Sequence, residues 1–124
     1  MTNARLTLGQ RAENLIAARL CRAGYTLLDR NWRHADLGEL DIVARRGDVL
    51  VFVEVRARRG PIEAAVEQAL ASVNARKQAR LARLAEAYLV LHDLDDLSWR
   101  IDVAAVGTER GRLAVEIVTN AVDW

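Results

Sequence analysis

A chain of 124 residues, 52% of them hydrophobic, is the size of one domain and can fill one core, so we expect a single domain over 1–124. The formal net charge is +1, so overall charge gives no sign of a nucleic-acid-binding protein. No window of about 18 residues is free of charge and no signal-peptide core is present, so the sequence predicts neither a membrane span nor export. The lone cysteine, Cys21, cannot form an internal disulfide. We therefore expect a cytoplasmic protein, with Cys21 as a small buried side chain on a helix.

The first predicted element is a helix from about Leu8 to Ala23. Thr7 and Gln10 form the capping-box pattern that is typical of a helix start. The apolar positions that follow repeat at helical spacing, at Leu8, Ala12, Leu15, Ile16, Leu20 and Ala23. Gly24 then suits the position just beyond the last turn.

A short predicted strand, 25–29, and a polar connection, 30–37, lead into a predicted hairpin. The arms of the hairpin are 39–44 and 49–57, and the glycine and aspartate between them suit a tight turn. The second arm is apolar at both odd and even positions. This pattern is typical of a strand in the middle of a sheet, covered on both faces.

The second half of the chain begins with an alanine-rich stretch after Gly60-Pro61. Its first part, 62–71, fits either a separate helical turn or a loop. The remaining predicted elements are a helix over 73–91, a strand over 98–106 and an edge strand over 113–118. The order αβββαββ predicts an α/β fold in which helices flank a mixed sheet.

The residues that could carry chemistry lie in the hairpin. With the chain folded at the tight turn, Asp41 and Glu54 come opposite or nearly opposite each other, with Cβ atoms roughly 5 Å apart. Carboxylates this close repel by about 3 kcal/mol at an effective dielectric near 20. A divalent cation, a neighbouring cation such as Arg56, or a shifted pKa must offset that repulsion. Carboxylate oxygens favour Mg²⁺ or Mn²⁺, whereas the alternative is a hairpin end with Glu54 paired to an arginine and Asp41 solvated.

The hairpin sequence resembles a known signature. Residues 38–43 (GELDIV) and 51–56 (VFVEVR) are similar to the "GEID … FVEVK" signature of the YraN-like family. This bacterial family is widespread, largely uncharacterised, and related to archaeal Holliday-junction resolvases and restriction endonucleases. The similarity covers nearly the whole chain and includes Gly9, Glu13, Asn31, Lys77, Leu81, Tyr88 and residues 100–103. It implies a restriction-endonuclease-like fold with core order αβββαβ.

The resemblance also implies roles for individual residues. Asp41 and Glu54 match the metal-binding acidic pair of the PD-(D/E)xK motif, and Glu13 matches the first-helix glutamate that completes the site in related resolvases. Arg56 stands where the motif usually has lysine, and its planar, always charged guanidinium differs from a compact ammonium. Lys77, the only lysine in the chain, is the alternative source of that charge. Strand alternation favours Arg56, because it places Arg56 on the same face as Glu54.

Five arginines are candidates for contacts with phosphates: Arg58, Arg59, Arg76, Arg80 and Arg83. The last three follow i, i+4, i+7 spacing and form one stripe on the second predicted helix. A solvated helix face is an equally good interpretation of that stripe.

Other polar and aromatic residues are interpreted structurally. Trp32 is expected to be a half-buried anchor rather than a base-stacking residue, and His34 and His92 are expected on the surface. Asp102 is interpreted as a buried partner of Arg100. No histidine or cysteine spacing indicates a zinc site.

The sequence therefore predicts a Mg²⁺- or Mn²⁺-dependent endonuclease that acts on DNA, with branched or flapped structures among the candidate substrates. The alternative is a nucleic-acid-binding module that keeps the nuclease fold without turnover. The sequence has no glycine-rich phosphate loop, so we expect no nucleotide cofactor, and we expect no membrane partner. Analogy with resolvases, which cut two strands symmetrically, suggests a homodimer.

Overall fold

The computed structural model describes residues 5–121, in which three α-helices flank a mixed five-stranded sheet. The elements in chain order are helix α1 (Leu8–Arg22), strand β1 (Thr26–Arg33), a 3-10 turn (Ala35–Leu37), strands β2 (Glu39–Arg46) and β3 (Val49–Arg59), helices α2 (Ile62–Ser72) and α3 (Ala75–Leu91), and strands β4 (Ser98–Glu109) and β5 (Arg112–Val118). The sheet order is β1-β2-β3-β4-β5, and β3 and β4 run parallel while the other neighbours are antiparallel. The predicted mixed sheet with flanking helices is confirmed. None of the described helices is long and apolar enough to cross a lipid bilayer.

Helix α2 is the main addition to the predicted order. It occupies the alanine-rich segment that the sequence predicted to be either a helical turn or a loop, and it begins directly after Pro61. Its start is packed closely against β4 at Gly107. A Cβ atom at Gly107 would lie 2.9 Å from the carbonyl oxygen of Gly60 and 3.1 Å from the Cα of Ile62, so only glycine fits without a shift of the backbone.

Strand β1 is longer than predicted, because it continues through residues that the sequence analysis assigned to a polar connection. Arg30, Trp32 and Arg33 pair with β2 as far as the start of that strand. As an edge strand, β1 has one free side, so exposed polar side chains there cost little burial.

Strand β3 lies at the centre of the sheet and supplies side chains to two cores. Val51 and Val53 pack on the α1 face, whereas Leu50 and Phe52 pack on the face covered by α2 and α3. Fully burying a side chain of this size stabilises the fold by about 1.5–3 kcal/mol. The predicted position of this strand in mid-sheet is confirmed.

Cys21 is exposed, so the prediction that it is buried was wrong. Ile16, Ala17 and Leu20 are the buried positions of this part of α1. Cys21 follows Leu20 by one residue, which turns its side chain about 100° around the helix and away from the sheet. The neighbouring Ala18 and Ala23 are exposed as well, so apolar neighbours in the sequence did not mark the buried side of the helix here.

The pairing of β2 with β3 ends before the strands do. The register runs from Arg46–Val49 to Ile42–Val53. Strand β2 begins three residues before Ile42, and β3 continues to Arg59 in register with β4. The two hairpin arms therefore separate near the middle of β3.

Candidate functional site

Asp41 and Glu54 lie at the point where β2 and β3 separate. Each is the residue next to the last registered pair, Ile42–Val53, so the register sets them opposite each other. Beyond that pair, the backbone N–H of Val55 donates to Oδ2 of Asp41 at 2.9 Å. The side chain of Asp41 thus accepts a hydrogen bond from a backbone N–H of β3 that would otherwise be available to a neighbouring strand.

The half-buried Asp41 has an unusually high proton affinity. Burial and the negative charge of Glu54 raise the pKa of Asp41 from its ordinary 3.8 to about 7. A hydrogen bond with Glu54 and the charge of Glu13 add to this increase, and the N–H of Val55 opposes it. Near neutral pH, Asp41 is therefore divided between its protonated and ionised forms.

Glu54 is 3% exposed and receives two positive charges on one oxygen. Nη2 of Arg56 lies 2.8 Å from Oε2 of Glu54, and Nζ of Lys77 lies 3.1 Å from the same atom. Lys77 comes from the first turn of α3, where its N–H donates to the capping side chain of Asn74. The structure therefore brings both candidates for the motif lysine to a single carboxylate, whose burial would be costly without such partners.

The guanidinium of Arg56 is incompletely paired. Its Nε atom is buried and has no hydrogen-bond partner among the described residues 5–121. Arg56 also lines a cavity of about 130 Å³ between β3 and α2, together with Ala57, Arg58, Ala65, Gln68, Ala69 and Ser72. A buried donor without a partner lowers the stability of the fold by about 1–3 kcal/mol. Arg56 thus has one N–H group beside the carboxylates that is available to a ligand.

Glu13 lies close enough to influence Asp41 but is held by other groups. Its Oε1 atom is 2.8 Å from Nη2 of Arg30 and accepts a hydrogen bond from Nδ2 of Asn31 at 3.0 Å. Within the described part of the chain, no three acidic, histidine or cysteine side chains are gathered closely enough to hold a metal ion together. The potential ligand set in this structure is therefore Asp41 and Glu54, and Glu13 does not join it.

The structure does not gather the five candidate phosphate-binding arginines on one face. Arg58 lines the cavity beside α2, whereas Arg59 lines a groove at the start of α1. Strand alternation sends these neighbours to opposite sides of the sheet. Arg76, Arg80 and Arg83 remain on α3, on the side of the sheet away from Arg59.

Asp102 forms a closed structural pair, as the sequence analysis expected. It is 4% exposed, lies 3.1 Å from Nε of Arg100, and accepts a hydrogen bond from the N–H of Asn120 at 2.8 Å. Arg100 in turn donates to the hydroxyl of Tyr25. The charge of Asp102 is therefore neutralised by groups of the fold itself.

Sequence reasoning missed a cluster of aromatic and histidine rings beside β1. Trp32 stacks on His34 with ring centroids 5.3 Å apart and meets Tyr88 edge-on at 5.1 Å. His92 stacks on Tyr88 at 3.9 Å, and the hydroxyl of Tyr88 donates to Asp29. Burial, followed by this bond to Asp29, raises the pKa of Tyr88. The i, i+4 spacing of Tyr88 and His92 could have predicted their contact on one helix face. The contact between α3 and β1 has no such signal in the sequence.

The whole site falls within a region that is similar to a group of bacterial proteins. The profile of the uncharacterised protein family UPF0102 matches residues 12–106. A UPF0102 protein of Chloroflexus aurantiacus is 48% identical over 107 residues, which are 86% of this chain and 83% of that protein. A UPF0102 protein of Roseiflexus castenholzii is 45% identical over 126 residues, covering 99% of this chain and 98% of that protein.

Two further similarities are to another protein of the same family and to a solved structure. A UPF0102 protein of Streptomyces coelicolor is 51% identical over 90 residues, covering 73% of this chain and 67% of its own. Among solved structures, that of Pyrococcus furiosus SfsA in complex with Ca²⁺ is similar at a TM-score of 0.35 and 12% identity, covering 90% of this chain and 62% of that one.

Proposed function

This chain belongs to the uncharacterised protein family UPF0102, and we propose that it is a nuclease that hydrolyses DNA phosphodiesters with a Mg²⁺ or Mn²⁺ ion held by Asp41 and Glu54. The observation that carries this proposal is the pair of carboxylates at the point where β2 and β3 separate. Two like charges in contact lower the stability of the fold, and the packing of a hairpin does not require them. The match of both acids to the PD-(D/E)xK motif supports the same function.

The chemistry of the two acids suits a hard divalent cation. Oδ2 of Asp41 accepts from the N–H of Val55, and Oε2 of Glu54 contacts both cations. Each carboxylate has a second oxygen and further lone pairs that can bind a metal ion. Mg²⁺ is commonly held by one or two carboxylates, with water and substrate phosphate as its other ligands. Two protein ligands are therefore enough, and Glu13 is not needed as a third.

The side chains around the pair have separate tasks in this proposal. When bound, the ion supplies an activated water and neutralises charge on the attacked phosphate. Arg56 and Lys77, whose nitrogens lie 2.8 and 3.1 Å from Glu54, stabilise the charge that develops on the phosphate oxygens. The unpaired Nε of Arg56 is a further donor for those oxygens. Asp41 contributes in its ionised form, so protons compete with the metal below about pH 7.

Cleavage of labelled DNA tests this function. With Mg²⁺ or Mn²⁺ present, the protein is expected to cut at least one of a duplex, a single strand, a flap and a four-way junction. Glu54→Gln should abolish cutting while the circular dichroism spectrum is preserved. The matched control Glu116→Gln, which removes an exposed acid from β5, should cut like wild type. Cutting that survives in Glu54→Gln would contradict the proposal. A wild-type protein that binds these substrates and cuts none would instead be a binding module with a nuclease fold.

A further inference from the structure

A groove of about 540 Å³ lies where the start of α1, the end of β3 and the β4–β5 turn meet. Each of these segments supplies arginine: Arg5 and Arg11 flank the helix start, Arg59 ends β3, and Arg110 lies in the turn. All four arginines are exposed. Among the described residues, none that lines this groove is acidic, and none of the four arginines forms an ion pair. The groove therefore carries four positive charges and no acidic side chain from residues 5–121.

The start of α1 adds to this positive potential. The side chain of Thr7 accepts from the N–H of Gln10 at 3.1 Å, and the side chain of Gln10 accepts from the N–H of Thr7. Other N–H groups of the first turn have no acceptor within the helix. The first turn contains no acidic residue, although acids are the usual complement to the partial positive charge there. An anion in the groove would relieve the repulsion among the four guanidinium groups and complement the helix start.

The phosphate backbone of nucleic acid is the ligand class that fits the groove. The guanidinium fork matches phosphate oxygens, and four charges from three separate segments suit a run of phosphates better than a single one. Arg59 follows Glu54 by five residues on β3. This separation is about 17 Å at roughly 3.3 Å per residue. Phosphates of one strand are about 3.4 Å apart along the duplex axis, so the groove lies at least about five phosphates from the carboxylate pair.

We propose that this groove, here called the α1 groove, holds the backbone of the DNA duplex that flanks the cleaved bond. Glu54 contacts Lys77 on the α3 side of the sheet, whereas the α1 groove opens on the opposite side. The bound duplex therefore passes over the end of the sheet, at the last residues of β3. The inference rests on the proposed nuclease function for the identity of the nucleic acid, and on the four arginines for the place where it binds.

Salt-dependent binding of a fluorescein-labelled DNA duplex, measured by anisotropy in EDTA, tests the α1 groove. The double variant Arg11→Gln/Arg110→Gln removes two groove charges, and the control Arg19→Gln/Arg22→Gln removes two from the last turn of the same helix. Each phosphate contact contributes about 0.9 to the log–log salt slope, so the groove variant should lose about 1.8. At about 50 mM salt this corresponds to binding on the order of 100-fold weaker. The control should keep the wild-type slope, and a groove variant that also keeps it would overturn the inference.

Binding in EDTA needs no turnover, so the α1 groove and the nuclease function fail separately. Groove-dependent binding by a protein that cuts no DNA would support the groove and contradict the nuclease. Cutting with the same KM and salt dependence in wild type and groove variant would support the nuclease and overturn the groove. An uncharged methylphosphonate linkage tests the position. Moved outward along the strand from about the fifth phosphate beyond the cut, it should at one position weaken binding by wild type without further loss in the groove variant. Equal losses in both proteins would contradict the placement.

Discussion

Glu54 on β3 and Asp102 on β4 are the two charged side chains that are buried in the described part of the chain, at 3% and 4% exposure. They lie on adjacent parallel strands, and each has an arginine two residues away on its own strand. Asp102 is fully occupied: Arg100 neutralises it, and the N–H of Asn120 takes a further lone pair. Its partners tie β4 to the residues that follow β5, which is a structural role.

Glu54 has a different environment, because a second acid lies beside it. Burial, and after it the negative charge of Glu54, raises the pKa of Asp41 to about 7. This shift is present even though Arg56 and Lys77 both contact Glu54. The structural acid Asp102 and the candidate catalytic acid Glu54 are therefore alike in two respects: each is buried, and each has an arginine two residues away. What distinguishes them is the like-charged neighbour, which costs stability and therefore needs a function to explain it.

Removing each acid in turn should separate the two roles most strongly. Glu54→Gln is expected to lower the single-turnover rate of DNA cleavage on the order of 1,000-fold or more, since a lost metal ligand removes several kcal/mol of transition-state stabilisation. Asp102→Asn should keep the wild-type rate per folded molecule, because it lies outside the ligand pair. Similar rate losses in both variants would erase the distinction between the two acids.

Stability should show the opposite order. Asp102→Asn removes the buried carboxylate that pairs with the half-buried Arg100, so the free energy of unfolding should fall by about 2–3 kcal/mol. Asp41→Asn at pH 8 should instead stabilise the protein, because it removes the repulsion with Glu54. Urea denaturation with a chelator present measures both. An Asp41→Asn protein that is less stable than wild type at pH 8 would argue for a structural role of Asp41.

The pH dependence of stability sharpens the same contrast. The pKa of Asp41 is raised in the folded state, from 3.8 to about 7. The stabilisation linked to its proton is therefore complete below the unfolded value and is lost as the pH rises through about 7. We expect the free energy of unfolding to fall by about 2 kcal/mol more in wild type than in Asp41→Asn between pH 5 and pH 8, after discounting for the partial exposure of Asp41. Parallel profiles for the two proteins would contradict the shift.

The smallest expected effects concern the two cations on Glu54. Lys77→Gln should lower the single-turnover rate about tenfold with DNA affinity unchanged, because a group that acts on transition-state charge affects turnover more than binding. Arg56→Lys should keep activity, since it preserves the charge beside Glu54 and restores the residue usual in the motif. Arg22→Gln, which removes an exposed arginine from the last turn of α1, is the control. A silent Lys77→Gln together with an inactive Arg56→Lys would assign the role to the guanidinium alone.

Sequence patterns within the hairpin predicted the part of the site that the hairpin itself forms. A tight turn and alternating strands were enough to set Asp41 opposite Glu54, because hairpin register follows from the loop. The same alternation separates Arg58 from Arg59, although the sequence analysis grouped them by their proximity in the chain. The contact between Lys77 and Glu54 depends on how α3 docks on the sheet, which helical spacing does not determine.

The α1 groove lay beyond sequence reasoning for a related reason. Its arginines come from the helix start, the end of β3 and the β4–β5 turn, which meet only in the folded chain. Each arginine alone fits an ordinary solvated surface residue. Helix α2 was ambiguous because its many alanines give a weak contrast between its faces.

Calorimetric titration with Mn²⁺ tests the central claim, that Asp41 and Glu54 form a metal site, most directly. Wild type should bind Mn²⁺ with an affinity that increases between pH 6 and pH 8, because Asp41 loses its proton through about pH 7. Asp102→Asn should bind like wild type, and Glu54→Gln should show no binding heat while remaining folded. Equal Mn²⁺ binding by wild type and Glu54→Gln would contradict the account.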